Sequence, residues 1–117
     1  MRKPTVTYNH LDVVVVPFPF TDKNASKRRP AIILSIKAFQ AKSKHSVLLM
    51  ITSSENTAWP MDFEITDLES AGLPAPSKIR MKFFTLDDSL IIRKLGTLGK
   101  NDKKTLKTAL QKIFEID

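Results

Sequence analysis

The chain has 117 residues and carries 19 Lys plus Arg against 12 Asp plus Glu, a formal charge of +7. That length suits a single domain over residues 1–117, and 42% hydrophobic with 26% charged residues argues against wholesale disorder. No apolar run approaches the roughly 20 residues that span a bilayer. No apolar segment follows Met1-Arg2-Lys3-Pro4, so a cytoplasmic protein without membrane attachment is expected. The absence of cysteine excludes disulfides, thiolate catalysis and Cys-based zinc sites.

In chain order, Asp12 to Phe20 is rich in β-branched and aromatic residues, which predicts a strand. Pro17 and Pro19 donate no ladder hydrogen bonds, so its second half is expected at an edge, a bulge or an irregular extension. Thr21 to Ser26 is polar and turn-prone. A second strand is predicted from Pro30 to Ser35, a short helical turn around Phe39, a third strand over Ser46–Thr52 and a fourth over Asp62–Ile65. Asp67 to Leu73 reads as one or two helical turns stopped by Gly72. Lys78 to Phe83 alternates charged and apolar residues as a half-buried strand does, and Ser89 to Leu95 is a further strand ending at Gly96. Asn101 is placed to cap a helix reaching about Glu115, with Leu106, Ala109, Leu110, Ile113 and Phe114 on one apolar stripe. The fold class is therefore mainly β with short helices: five or six short strands in a small curled sheet or barrel, closed by a C-terminal helix.

Charge is segregated along the chain. Residues 22–45 carry a net +6, residues 46–77 a net −5 and residues 78–94 a net +3. A basic face of this kind suits a polyanion such as nucleic acid. Most catalytic constellations are missing. His10 and His45 lack metal-ligand spacing, so no metal and no cofactor are expected, and the three glycines form no phosphate-cradling loop. The pairs Asp87-Asp88 and Glu64-Asp67 read as turn decoration, and Trp59 reads first as a packing residue, with interface or base-stacking roles as alternatives. What remains is Lys27-Arg28-Arg29-Pro30, where a polar loop enters a strand, and Thr52-Ser53-Ser54, where the third strand ends. A guanidinium offers a planar fork of donors to phosphate oxygens and keeps its charge. Beside a hydroxyl it makes a minimal phosphoryl-transfer kit: one stabilises developing charge, the other orients or relays a proton. A basic surface loop next to a Ser/Thr turn is the plain alternative.

The blocks Asp12-Val-Val-Val-Val-Pro-Phe-Pro-Phe-Thr-Asp22 and Lys27-Arg-Arg-Pro-Ala-Ile-Ile-Leu-Ser35 resemble the opening signature of the MazF/PemK-type toxins. The similarity continues through Leu49-Met50-Ile51-Thr52-Ser53, Gly72-Leu73, Ser77-Lys78-Ile79-Arg80 and Ile91-Ile92-Arg93-Lys94-Leu95-Gly96, in the family's order. This resemblance implies an SH3-like barrel of the CcdB/MazF type that forms a homodimer. It implies an endoribonuclease toxin of a type II toxin–antitoxin pair, cutting single-stranded RNA without metal. Attack by the ribose 2′-hydroxyl would leave a 2′,3′-cyclic phosphate and a 5′-hydroxyl, and the need for that hydroxyl would separate RNA from DNA.

By the same resemblance Arg29 and Thr52 match the family's catalytic arginine and threonine. Lys27, Arg28, Ser53 and Arg80 are then substrate-binding candidates, and the cognate antitoxin should bring an acidic segment that folds over the basic face. Three positions depart from the family pattern. Leu11 replaces the usual glycine before the first-strand acid, so a differently made turn is expected. The Lys23–Ser26 loop lacks a Glu-Gln pair, and Lys82 stands where some members place an acid. Thr52, Asp22 and the two histidines are the candidates left for the general base. A non-catalytic toxin on the same barrel, such as a gyrase-directed poison, or a nucleic-acid-binding module are the competing classes.

Overall fold

The computed structural model describes residues 7–18 and 27–116. Six strands form one antiparallel sheet in the order β4-β5-β3-β2-β1-β6: β1 Asp12–Phe18, β2 Lys27–Ile33, β3 His45–Ser53, β4 Phe63–Glu64, β5 Ser77–Asp87 and β6 Arg93–Thr97. Among the described residues, α1 Lys37–Ser43 and α2 Leu68–Ala71 lie between strands and α3 Lys100–Phe114 follows the last one. The mainly β class with a C-terminal helix is therefore the observed one.

Both faces of the curled sheet are apolar. Strand alternation sends Val13, Ile32, Leu49, Ile51 and Ile79 to one face, where Leu106 and Ala109 of α3 and Ala71 of α2 cover them. Val14, Val16, Ala31, Ile33 and Leu48 go to the other, with Leu86 and Ile91. β1 is buried on both sides, which explains its unbroken valine run. It pairs with β2 from Val13 to Phe18 but with β6 only from Asp12 through Val15. Pro17 thus sits where β1 has one sheet neighbour, in keeping with the edge or irregularity its missing N–H demands.

Several expected boundaries move. β1 is described as far as Phe18, and the expected continuation through Pro19 and Phe20, with the turn over Thr21–Ser26, lies outside the described residues. The strand expected from Ser89 begins only at Arg93, because Asp87 accepts the Ser89 N–H and starts a 3-10 turn over Asp88–Leu90. Asn101 does not cap α3. Gly99 does, and Asn101 lies inside the helix. A Cβ at position 99 would meet the Asp67 carboxylate at 2.8 Å, so a side chain there would require Asp67 to shift. Asp102 instead turns inward and accepts the N–H groups of Thr66 and Asp67, tying α3 to the approach of α2. Phe114 leaves the expected stripe and is half exposed, its ring edge-on to Phe83 at 5.2 Å. Trp59 is not a core residue: it is 41% exposed.

The turn before β1 keeps a glycine-like backbone without a glycine. Leu11 sits at φ 71°, in the left-handed region. Its side chain is buried in the main core, and its backbone is held from both sides, donating to the Ile33 carbonyl and accepting from the Leu98 N–H.

Candidate active site

β2 and β3 are paired from Ile33↔Leu48 to Ala31↔Met50 and no further. Pro30 donates no hydrogen bond, and from there to Lys27 the strand pairs with β1 alone. Continuing the β2–β3 register by two residues sets Arg29 across from Thr52, and by a third sets Arg28 across from Ser53. Alternation also gives Arg29 and Thr52 the same face, that of Ala31, Ile33 and Leu48. The gap between the separated strand ends is a cleft of about 260 Å³, lined by Arg28, Arg29 and Pro30, by Ile51, Thr52 and Ser53, and by the 73–77 segment. A second concavity of about 290 Å³ continues past the two arginines to Val15 and Arg93.

Within this cleft Arg29 is half-buried, its guanidinium carbon 4.7 Å from the centroid of the Phe18 ring. Its Nε is buried and has no hydrogen-bond partner among the described residues. A buried donor left unmade costs about 1–3 kcal/mol, and the fold accepts that cost beside an opening large enough for a phosphodiester. Thr52 is buried, and its Oγ1 accepts from Asn56 Nδ2. That bond occupies the oxygen and leaves the hydroxyl proton to be donated elsewhere.

The expected site residues divide accordingly. Arg28, Arg29, Thr52 and Ser53 come together in the cleft. Lys27 lies exposed at the start of β2, opposite Phe18. Arg80 turns to the loop between β3 and β4. There it makes an ion pair with Asp62 at 3.0 Å and donates to the Thr57 carbonyl at 2.5 Å. Lys78 joins it, 3.5 Å from Asp62 and 2.6 Å from the Asn56 carbonyl. Burial alone would push the Asp62 carboxyl up. Hydrogen bonds from Arg80 and the Trp59 N–H, with the charge of Arg80 and the bond from Lys78, outweigh it and hold the group below the usual carboxylate range.

Neither histidine reaches the cleft. His45 opens β3 seven residues before Thr52, about 23 Å along an extended strand, and His10 bonds to the Leu34 carbonyl. Among the described residues the cleft lining holds no carboxylate or imidazole, and Asp22 lies outside them. Among the described residues, too, no three His, Cys, Asp or Glu side chains group as metal ligands, and no helix is long and apolar enough to cross a membrane. Larger concavities of about 440 and 410 Å³ flank α3 and do not include the Arg/Thr pair. Two contributors escape a reading of the sequence. Asn56 has a weak local signal, four residues after Thr52 in a polar turn. Arg93 has none, since β6 must first pair with β1 to bring it near Arg28.

The fold and this cleft define a small, mostly β domain of half-barrel topology with an arginine and a threonine lining one opening. The chain belongs to the PemK-like, MazF-like toxin family of type II toxin–antitoxin systems, whose model matches residues 9–114. Among solved structures it is similar to an endoribonuclease in complex with its cognate antitoxin from a mycobacterial species (TM-score 0.73, 14% identity, 95% of this chain and 96% of that one). It is similar also to the Mycobacterium tuberculosis toxin MazF-mt6 (TM-score 0.70, 18% identity, 91% and 98%). A third is the MazE-MazF structure, form II, from Deinococcus radiodurans (TM-score 0.72, 15% identity, 96% and 99%). No curated protein sequence matches the chain significantly.

Proposed function

We propose that this chain is a metal-independent endoribonuclease toxin that cuts single-stranded messenger RNA sequence-selectively, with Arg29 and Thr52 as its catalytic residues. The ribose 2′-oxygen attacks the adjacent phosphorus: the P–O2′ bond forms and the P–O5′ bond breaks. The 2′-hydroxyl loses its proton, the departing 5′-oxygen gains one, and the products are a 2′,3′-cyclic phosphate and a 5′-hydroxyl. Negative charge builds on the phosphoryl oxygens as the fifth bond forms. Arg29 meets it with a guanidinium already aimed by Phe18 stacking and carrying an unspent buried donor. Thr52 donates its hydroxyl proton to a second phosphoryl oxygen, with Asn56 holding its orientation. Lys27, Arg28 and Ser53 bind the flanking backbone, and Arg80 contributes by holding the loop that follows Ser53. Strands must be unpaired for their bases to splay out and be read.

The partners proposed are single-stranded RNA, a second copy of the chain in a symmetric dimer and an antitoxin whose acidic segment covers the basic cleft. The observation that carries this reading is the convergence of Arg29 and Thr52 on one cleft from strands that have just separated.

The test is cleavage of a long mixed-sequence single-stranded RNA in EDTA, comparing wild type with Arg29→Ala and Thr52→Val and analysing the ends. Discrete cuts leaving cyclic phosphate are expected, with each variant slower by about 100- to 1000-fold, the usual effect of removing one preorganised donor. A folded wild-type protein that binds this RNA without cutting it establishes a binding module instead. One that neither binds nor cuts points to a protein-directed toxin.

A further inference from the structure

The loop between β3 and β4 carries Trp59, which neither the core nor the Arg29 cleft uses. Its exposure is costly for the fold: an indole 41% in water gives up burial that a packed tryptophan would gain. Yet its backbone is firmly held. The Trp59 N–H donates to Asp62 Oδ2 at 2.9 Å and its carbonyl accepts the Asp62 N–H at 3.0 Å. Asp62 is in turn clamped by Arg80 and Lys78, which also bind the Thr57 and Asn56 carbonyls. Two cations of β5 therefore pin the loop at Asn56, Thr57 and Asp62 and present the one tryptophan of the chain to solvent. The ammonium of Lys82 lies 4.5 Å from the ring centroid, so the platform carries a positive charge as well as a π-face.

The platform stands next to the cleft. Asn56 touches the Thr52 hydroxyl, and Trp59 follows three residues later, at most about 11 Å of chain. A strand whose scissile phosphate lies at Arg29 and Thr52 passes within reach of the indole. A rigid aromatic ring and a cation beside a phosphate-binding cleft are the two parts with which proteins hold unpaired bases.

We propose that Trp59 is a preorganised base-stacking platform that positions a nucleotide flanking the scissile phosphate, with Lys82 contacting the adjoining backbone. This rests on the single-stranded RNA reading given above and names a residue that orients that substrate. Lys82 then serves by binding substrate at a position where an acid would repel it.

Because the chain has one tryptophan, its fluorescence reports on this residue alone. The probe is a mixed-sequence 2′-O-methyl RNA, which lacks the attacking hydroxyl and survives intact, with binding followed independently by anisotropy of a dye on the RNA. Quenching of Trp59 that saturates with the anisotropy is expected. Trp59→Ala should weaken binding by roughly 5- to 100-fold, the range seen when one stacking aromatic is removed, and Trp59→Phe should recover most of it. With unmodified RNA, Trp59→Ala should raise KM more than it lowers kcat, and circular dichroism should stay at the wild-type spectrum. Saturated anisotropy with unchanged fluorescence overturns the stacking proposal and leaves the nuclease reading standing. Absent anisotropy, together with absent cleavage of unmodified RNA, overturns both. Fluorescence that changes with protein concentration in the absence of RNA assigns Trp59 to a contact between copies, and that also overturns the proposal.

Discussion

Arg29 and Leu11 show two ways in which single residues are held in unfavourable states. Arg29 keeps a buried Nε without a partner among the described residues, the arrangement expected of a donor waiting for an anion. Leu11 keeps a left-handed backbone, which costs roughly 1–2 kcal/mol for an L-residue. Substituting glycine relieves that strain but empties a buried leucine site, a loss of about 2–5 kcal/mol. The packing term is the larger, so Leu11→Gly is expected to destabilise the fold by about 1–3 kcal/mol. Urea denaturation checks this, and a stabilised variant would mean that the strain outweighs the core contact.

At the level of elements, the clamp between β5 and the 54–62 loop is the feature most open to perturbation. Asp62, Lys78 and Arg80 are all largely buried at their side chains. Removing the carboxylate leaves two cations without their counter-charge, and breaking a buried pair in this way costs about 3–5 kcal/mol. Asp62→Ala is therefore expected to lower stability by that order and to expose the loop to limited proteolysis near Trp59. The pH dependence has a definite sign. The folded carboxyl of Asp62 lies below its unfolded value, so its stabilisation is fully present above the unfolded value. It is lost as pH falls through the folded one. Proteolysis of the wild-type loop should thus quicken only in acid, below the ordinary carboxylate range. The same loop in Asp62→Ala should be cut at neutral pH as well.

At the level of the whole molecule, the +7 charge and the two adjoining concavities bearing Arg28, Arg29 and Arg93 set an electrostatic expectation. RNA affinity should fall with salt, by about 0.7 in log K per log salt for each phosphate neutralised on a single strand. Arg28→Gln should reduce that slope by about one phosphate without abolishing cleavage. A flat salt dependence would remove the basic cleft from the account of binding. The proposed symmetric dimer is checked by mass measurement in solution at micromolar protein, where twice the chain mass is expected and a monomer alone would refute it.

The sequence by itself determined much of this protein. The valine run, the Arg-Pro strand entry, the alternation of β5 and the spacing of α3 are local patterns, and local sterics and burial read them directly. It also offered Arg29 and Thr52 as candidates for handling a phosphate, because a guanidinium before a proline and a hydroxyl at a strand end are visible in one dimension, and the structure lines one cleft with both. Tertiary structure decided which of the basic residues face one another. Both Arg28 and Arg80 stand in the sequence as substrate-binding candidates, yet strand pairing brings Arg80 to Asp62, 18 residues away, while Arg28 opens on the cleft. The cap of α3 falls at Gly99, before Asn101, and Asp102 in its first turn accepts the N–H groups of Thr66 and Asp67 from another part of the chain. Trp59 left the core because Lys78, Arg80 and Asp62 fasten its loop outward. Each of these outcomes depends on contacts between distant segments, which form only when the sheet has assembled and which no periodicity along the chain encodes.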